Sequence, residues 1–145
     1  MRVRCITNTG KGFSKYTLEH RGCSVESSIP FDVGKEYVVY GQLVWRRMLQ
    51  YLLLGSGVTL PSWYPAEAFE VVDSHLPHDW VFQYNPVSDL SAIWGFKELV
   101  YTEGFNDQLM DYEENAAKIF INQKIKMDQE DKEWQERQGA SSSAF

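Results

Sequence analysis

The chain of 145 residues has only two cysteines, Cys5 and Cys23, and it contains no long apolar run. Two cysteines form at most one disulfide, and their spacing is not that of the closely placed pairs that bind zinc or carry out redox chemistry. The longest apolar stretch, residues 48–54, is interrupted by Gln50 and is far shorter than the roughly 20 residues that cross a bilayer. We therefore expect a reduced, cytoplasmic protein without cofactor or membrane partner, and leave the pairing of the thiols open.

Motifs of common catalytic sites are also scarce. Two Gly-x-Gly segments, at 10–12 and 55–57, lack the Lys-Ser/Thr pair or the second half that phosphate-binding loops require, which indicates turns. The pair His75 and His78, flanked by aspartates, is the one cluster similar to metal ligands. Pro77 lies between the two histidines and argues against a pair on one helix face, and no third ligand stands at a fixed spacing. We expect no enzyme activity and no metal site, and keep a small metal-dependent enzyme using this pair as a second alternative.

Large apolar side chains and unevenly placed charge are what the chain does contain. Its composition is 43% hydrophobic and 14% aromatic, which suits one soluble globular domain with a sizeable core. Residues 1–60 carry eight Lys or Arg and four acids (8 − 4 = +4), whereas residues 61–145 carry six and sixteen (6 − 16 = −10), giving the total of −6. The two halves can dock on each other, or the acidic half can face a basic partner. An acidic body disfavours nonspecific nucleic-acid binding.

The first 75 residues predict short strands, from alternating polarity and from β-branched and aromatic content. The predicted strands cover residues 2–6, 36–40, 43–45, 48–54 and 69–72. Arg46 and Arg47 are interpreted as a tight hairpin connection between two of them. The segment from about 13 to 28 is polar and is expected to be irregular.

Two segments resemble SH3-like barrels. Residues 29–40, Ile-Pro-Phe-Asp-Val-Gly-Lys-Glu-Tyr-Val-Val-Tyr, are similar to the pattern that opens the central strands of that fold. Residues 63–72, Trp-Tyr-Pro-Ala-Glu-Ala-Phe-Glu-Val-Val, are similar to its close. The resemblance implies a small barrel over residues 1–75, in which a short 3₁₀ turn leads into the final strand. The Ala-Leu-Tyr-Asp-Tyr strand and the tryptophan pair of peptide-binding SH3 domains are missing, so polyproline recognition is not expected.

Residues 76–138 predict a helical extension packed on the barrel, followed by a disordered tail at 139–145. A short helix is expected from Asp89 to Val100, and a long amphipathic helix runs from an N-cap at Asn106 to about Gln129. The predicted fold class is therefore α+β, with an N-terminal SH3-like barrel and a C-terminal amphipathic helix.

Three acids mark the start of the long predicted helix. Asp107, Asp111 and Glu114 follow an i, i+4, i+7 spacing, which places them on one outward face. They form either a solvated face that favours the helix dipole or an acidic stripe that pairs with Lys or Arg of a partner. Trp63 and Tyr64 are the candidate aromatic anchors of the same partner-binding surface, although barrel packing explains them equally well.

The whole chain resembles small uncharacterised bacterial and phage proteins in its segments Gly-Lys-Glu-Tyr, Trp-Tyr-Pro-Ala, Phe-Glu-Val-Val-Asp and Trp-Gly-Phe-Lys-Glu-Leu-Val. Some proteins of this size and acidity are immunity partners of secreted toxins. The resemblance implies a non-enzymatic inhibitor that binds a basic, nuclease-type toxin through an acidic surface. The oligomeric state and the identity of the partner stay open.

A nucleic-acid- or peptide-binding adaptor of SH3-like fold is the first alternative. Arg2 and Arg4 share one face of a strand, and Lys11, Lys15 and Arg21 follow in the adjoining segment. Such a basic edge is what contact with phosphates requires.

Overall fold

The computed structural model describes residues 1–143, which form two antiparallel sheets and a long C-terminal helix. The strands are β1 (Arg2–Cys5), β2 (Glu36–Val38), β3 (Gly41–Trp45), β4 (Met48–Leu53), β5 (Ser62–Pro65), β6 (Phe69–Asp73), β7 (Val81–Tyr84) and β8 (Leu90–Gly95). The helices are α1 (Lys15–Arg21), α2 (Lys97–Tyr101), α3 (Phe105–Met110) and α4 (Glu114–Ser143). The predicted α+β class is confirmed.

One stretch of chain belongs to both sheets. The small sheet has the order β2-β1-β6 and the large sheet the order β5-β4-β3-β8-β7, and only Val39 and Tyr40 separate β2 from β3. The N–H of Val39 donates to the carbonyl of Met1 at 3.0 Å, and that of Tyr40 donates to Leu52 at 2.9 Å. The backbone hydrogen bonds of this stretch thus switch from the small sheet to the large sheet within two residues. Both sheets are open over residues 1–143, so the SH3-like barrel stays a prediction.

The predicted β pattern of the first half is confirmed in its main features. A 3₁₀ turn at Ala66–Ala68 leads directly into β6. Arg46 and Arg47 form the tight turn between β3 and β4, with φ values of 47° and 67°. Positive φ at both central positions is the requirement of a type I′ hairpin turn, which glycine or asparagine normally meets.

The segment expected to be irregular contains a helix instead. Helix α1 begins after Ser14, whose side chain accepts a hydrogen bond from the N–H of Thr17, and it ends at Gly22 with a φ of 64°. A serine N-cap and a left-handed glycine C-cap are the usual limits of a helix.

Two hydrophobic cores lie on the two faces of the large sheet, because consecutive residues of a strand point to opposite sides. Tyr51 and Leu53 of β4 pack in the core between the sheets, whereas Leu52 packs in the core between the large sheet and the helices. The inter-sheet core also contains Met1, Val3, Cys5, Phe31, Val39, Ala68 and Phe69. The sheet–helix core contains Phe96, Leu99, Phe105, Leu109, Ala116 and Phe120, among others.

The helix predicted from Asp89 to Val100 is wrong over most of its length. Leu90–Gly95 forms β8, which pairs with β3 on one side and β7 on the other. Its side chains alternate between the faces of the sheet: Ile93 enters the sheet–helix core, and the ring of Trp94 lies 4.7 Å from that of Phe82. Helix begins only at α2, so the segment 76–138 contains a hairpin as well as helices.

The single helix predicted from Asn106 is also wrong, because the chain turns between α3 and α4. Tyr112 adopts a φ of 59°, its N–H donates to Leu109, and the N–H of Glu113 donates to Gln108. This is the hydrogen-bond pattern of a Schellman C-cap. The N-cap of α3 is Gly104, and Asn106 lies inside the helix.

Helix α4 continues much further than the apolar pattern predicts. It runs to Ser143, so the tail predicted to be disordered at 139–145 begins in helix, while Ala144 and Phe145 lie outside the described residues. None of the helices described is both long enough and apolar enough to cross a membrane.

Candidate protein-binding surface

A strongly acidic surface follows the sequence from α2 to the start of α4. No Lys or Arg occurs between Lys97 and Lys118. We define the acidic corner as the exposed residues Glu103, Asp107, Asp111, Glu113 and Glu114. The carboxylate of Glu114 pairs with Lys118 at 3.0 Å. The other four carboxylates make no ion pair or hydrogen bond with any described residue, so their charge is directed to solvent.

The three acids predicted to form one stripe occupy three different settings. Asp107 lies in the first turn of α3, Asp111 is the C-cap of α3, and Glu114 is the first residue of α4. All three are exposed, but the turn at Tyr112 removes the shared helix face. The structure therefore groups them around a bend of the chain.

Two tyrosines accompany these carboxylates. Tyr101 and Tyr112 expose 61% and 60% of their surface. Tyrosine supplies a large contact area with a polar tip, which is why it is enriched at protein interfaces. Neither residue was singled out from the sequence, and the signal that would have found them is their position among unpaired acids.

The predicted aromatic anchors are largely inside the molecule. Trp63 is only 9% exposed, and its indole N–H donates to Oδ1 of Asn106 at 2.7 Å, which connects β5 to α3. Tyr64 is half-buried with its ring edge-on to that of Phe31 at 4.6 Å. Burial raises the pKa of the Tyr64 hydroxyl, and the proximity of Tyr112 raises it further. Tyr64 thus lies near Tyr112, whereas Trp63 mainly packs in the core.

A groove opens beside Trp63 on the helix-covered face of the large sheet. Its volume is about 330 Å³, which falls within the usual size range of small binding sites. We call it the sheet groove; its lining residues are Leu43, Trp45, Gln50, Trp63, Leu90, Asn106 and Asp107. Asp107 belongs to both features, so the groove and the acidic corner are continuous.

The arginines of β1 are held by carboxylates of the same molecule. Arg2 makes a bidentate contact with Asp131 of α4: its Nε donates to Oδ1 at 3.2 Å and its Nη2 donates to Oδ2 at 2.8 Å. The hydrogen bond with Asp131 raises the pKa of Arg2. Arg4 lies 2.8 Å from Glu70 and 3.3 Å from Glu36. The predicted basic strand face is therefore neutralised internally.

The other predicted cations differ in their surroundings. Lys15 lies 3.9 Å from Glu19 of the same helix, and Lys11 is exposed with no ion pair to any residue of 1–143. Arg21 is partly buried, and it donates to Gln50 Oε1 at 2.7 Å and to the carbonyl of Trp63 at 3.3 Å. These five side chains do not form one free basic surface, which weakens the nucleic-acid alternative.

The histidine pair contributes to the docking of α4. The ring of His75 stacks on that of Trp134 at 3.8 Å, and the backbone N–H of His78 donates to Glu130 at 2.8 Å. Within residues 1–143 no three His, Cys, Asp or Glu side chains are grouped as a metal site. Cys5 and Cys23 are free thiols, and burial raises the pKa of Cys5.

Comparison of the chain with protein-family models, with curated proteins and with solved structures gives no match. The resemblances to SH3-like barrels and to immunity proteins therefore stay predictions.

Proposed function

We propose that the protein is a non-enzymatic, protein-binding inhibitor, and specifically an immunity protein that neutralises a basic, nuclease-type toxin. The observation that carries the proposal is the acidic corner: four exposed carboxylates have no partner among the residues that the structure describes, and two exposed tyrosines accompany them. Unpaired acids on the surface lose no existing interaction when they meet a basic partner.

The physical mechanism is steering followed by occlusion. A patch of one charge sign accelerates encounter with a patch of the opposite sign and discriminates against other partners. After encounter, buried aromatic contacts contribute most of the affinity, because tyrosines are frequent hot spots of interfaces. Tyr101 and Tyr112 are the candidates for that role, and the acidic corner would cover the substrate-binding face of the toxin.

We further propose that residues 1–75 are related to SH3-like barrels. Support comes from the pairing of the first strand with the last one, from the 3₁₀ turn before β6, and from the passage of one chain segment between the two sheets. The expected cytoplasmic location also stays a proposal, supported by the two free thiols, which suit a reducing compartment.

An affinity capture from native lysate, with nuclease treatment and identification by mass spectrometry, tests the function. The matched variant reverses three charges of the corner: Asp107→Lys, Asp111→Lys and Glu114→Lys. We expect wild type to retain one basic protein stoichiometrically. The reversed variant should bind the recovered protein at least about tenfold more weakly, with the loss mainly in the association rate.

The control makes the same change of charge elsewhere: Glu26→Lys, Asp79→Lys and Glu136→Lys, three exposed acids outside the corner. Equal weakening by both triple variants would show that only net charge matters and would overturn the assignment of the surface. Recovery of nucleic acid alone, lost after nuclease treatment, would overturn the inhibitor proposal in favour of the nucleic-acid adaptor.

A further inference from the structure

The floor of the sheet groove contains a polar side chain in an unusual position. Gln50 lies in the middle of β4, opposite Leu43 of β3 and Pro65 of β5, and is only 5% exposed. Its Oε1 accepts a hydrogen bond from Nη1 of Arg21 at 2.7 Å. Since the guanidinium offers only donors, this contact fixes which end of the amide is oxygen and which is nitrogen.

The amide nitrogen of Gln50 is accessible to solvent. Every side-chain nitrogen or oxygen that is sealed from solvent within residues 1–140 has a hydrogen-bond partner. Nε2 of Gln50 has none among those residues, so it is not sealed, and Gln50 is one of the residues that line the groove. A donor that is oriented from behind and nearly buried carries a cost unless an acceptor can reach it.

A second amide is arranged in the same way. Oδ1 of Asn106 accepts the indole N–H of Trp63, which leaves the Nδ2 donors of Asn106 available to the groove. Leu43, Trp45 and Leu90 supply apolar walls. Two fixed amide donors between apolar walls favour a ligand that carries neutral oxygen acceptors and apolar groups.

Charge decides between the possible acceptors. Behind Gln50, the guanidinium of Arg21 has no carboxylate partner among the described residues and polarises the amide towards stronger donation. At the rim, Asp107 and the rest of the acidic corner repel a free carboxylate and attract a cation. A peptide carbonyl next to a basic side chain suits both the amide donor of Gln50 and the acidic rim at Asp107. An anionic ligand is repelled by the rim.

We propose that the sheet groove binds an extended peptide segment of the partner, with a backbone carbonyl on Nε2 of Gln50 and an adjacent Lys or Arg side chain on Asp107. Apolar side chains on either side of the basic residue would pack against Trp45 and Leu90. The inference rests on the proposed protein-binding function and names the element of the partner that the site recognises.

Capped tripeptides provide the probe: acetyl-Leu-Arg-Leu-amide, with acetyl-Leu-Glu-Leu-amide as the charge-reversed control. NMR of isotope-labelled protein follows the side-chain NH₂ of Gln50 and the indole N–H of Trp63. At about 1 mM peptide, which half-fills a site with a Kd of about 1 mM, the Arg peptide should shift both signals. The Glu peptide should bind at least about fivefold more weakly.

Two variants test the amide donor of Gln50 and the carboxylate of Asp107 separately. Gln50→Glu keeps a partner for Arg21 but removes the amide donors. It should weaken binding of the Arg peptide at least about fivefold. Asp107→Asn should remove most of the preference for Arg over Glu. Asp111→Asn is the matched control, because it removes the same charge from the acidic corner outside the groove, and it should keep the preference.

Each remaining outcome counts against the proposal. Absence of shifts at Gln50 and Trp63, or shifts confined to the exposed hairpin residues Phe82 and Tyr84, would overturn it. Equal binding by wild type and by folded Gln50→Glu would overturn the role of the amide. If capture of the protein partner depends on the acidic corner while no peptide shifts the NMR signals of Gln50 and Trp63, only the groove inference fails. If the capture does not depend on the acidic corner either, the proposed function fails as well.

Discussion

The two charged regions of this protein contrast in how their charges are used. On β1, Arg2 and Arg4 are each bound by carboxylates from other strands or from α4. In the acidic corner, exposed acids such as Asp107 and Asp111 have no partner within residues 1–143. The two arginines of β1 are therefore paired within the fold, while several acids of the second half remain unpaired on the surface.

The difference matters because the two kinds of charge have different energetic roles. A partly buried pair loses hydration on both sides, so removal of one partner leaves the other uncompensated. Exposed acids remain hydrated and contribute little to folding, so their removal is tolerated. Substitutions in the two regions should therefore have opposite effects on stability and on binding.

The largest effect on stability is expected for Asp131→Ala. The carboxylate of Asp131 is 7% exposed and holds Arg2 in a bidentate contact that fixes α4 against β1. Its loss should lower the free energy of unfolding by about 2 kcal/mol, measured by urea denaturation. Asp107→Ala should change it by about 0.5 kcal/mol or less. Equal destabilisation by the two variants would contradict the division between paired and unpaired acids.

An intermediate and pH-dependent effect on stability is expected for Glu67→Gln. Glu67 is exposed, but its carboxylate accepts hydrogen bonds. Burial alone would raise the pKa of Glu67, but hydrogen bonds from the N–H and hydroxyl of Ser14 and from the hydroxyl of Thr17 lower it overall. A lowered folded pKa gives stability that is present above the unfolded value of 4.5 and is lost as the pH falls through the folded pKa.

The variant should accordingly be less stable than wild type by about 1 kcal/mol at neutral pH, with the difference disappearing under acid conditions. Urea denaturation at a series of pH values measures the difference in the free energy of unfolding and its dependence on pH. A difference that stays constant between neutral and acid pH would show that the ionised carboxylate makes no special contribution.

The smallest effect is expected for Asp111→Asn, and it has the opposite sign. Asp111 lies at the C-terminus of α3, where the helix dipole is unfavourable to an anion, and four residues from Asp107. Neutralisation should raise the free energy of unfolding by about 0.3 kcal/mol, and the gain should shrink in high salt. Thermal unfolding at low and high salt provides the comparison; a destabilised variant would mean that Asp111 has a structural partner.

Prediction from sequence succeeds where the signal is local. The alternation at residues 2–6 gives β1, and residues 48–54 give β4. It fails at 89–100, where Leu90–Gly95 becomes a strand because β3 and β7 pair with it on both sides. A short run of apolar residues does not distinguish helix from strand until its neighbours are known.

The prediction of one continuous helix across α3 and α4 fails for a different reason. Tyr112 adopts the left-handed conformation that glycine usually supplies, so no glycine or proline marks the end of α3. The three acids were identified correctly as exposed, but their shared helix face depended on a continuous helix. The groove was missed entirely: Gln50 was noted only as an interruption of an apolar run, and Arg21 only as part of a basic segment.

The sequence by itself determined most strands of the first half, the α+β class and the acidic character of the second half, because these depend on local side-chain pattern and composition. Only the tertiary structure decided which charges are neutralised and which remain free, since Arg2 and Asp131 are separated by 129 residues and meet through the packing of α4. The same holds for the groove, whose donors are oriented by contacts between β4 and Arg21, and between β5 and α3. Hydrogen bonds between distant segments depend on the packing of the cores, which holds those segments together.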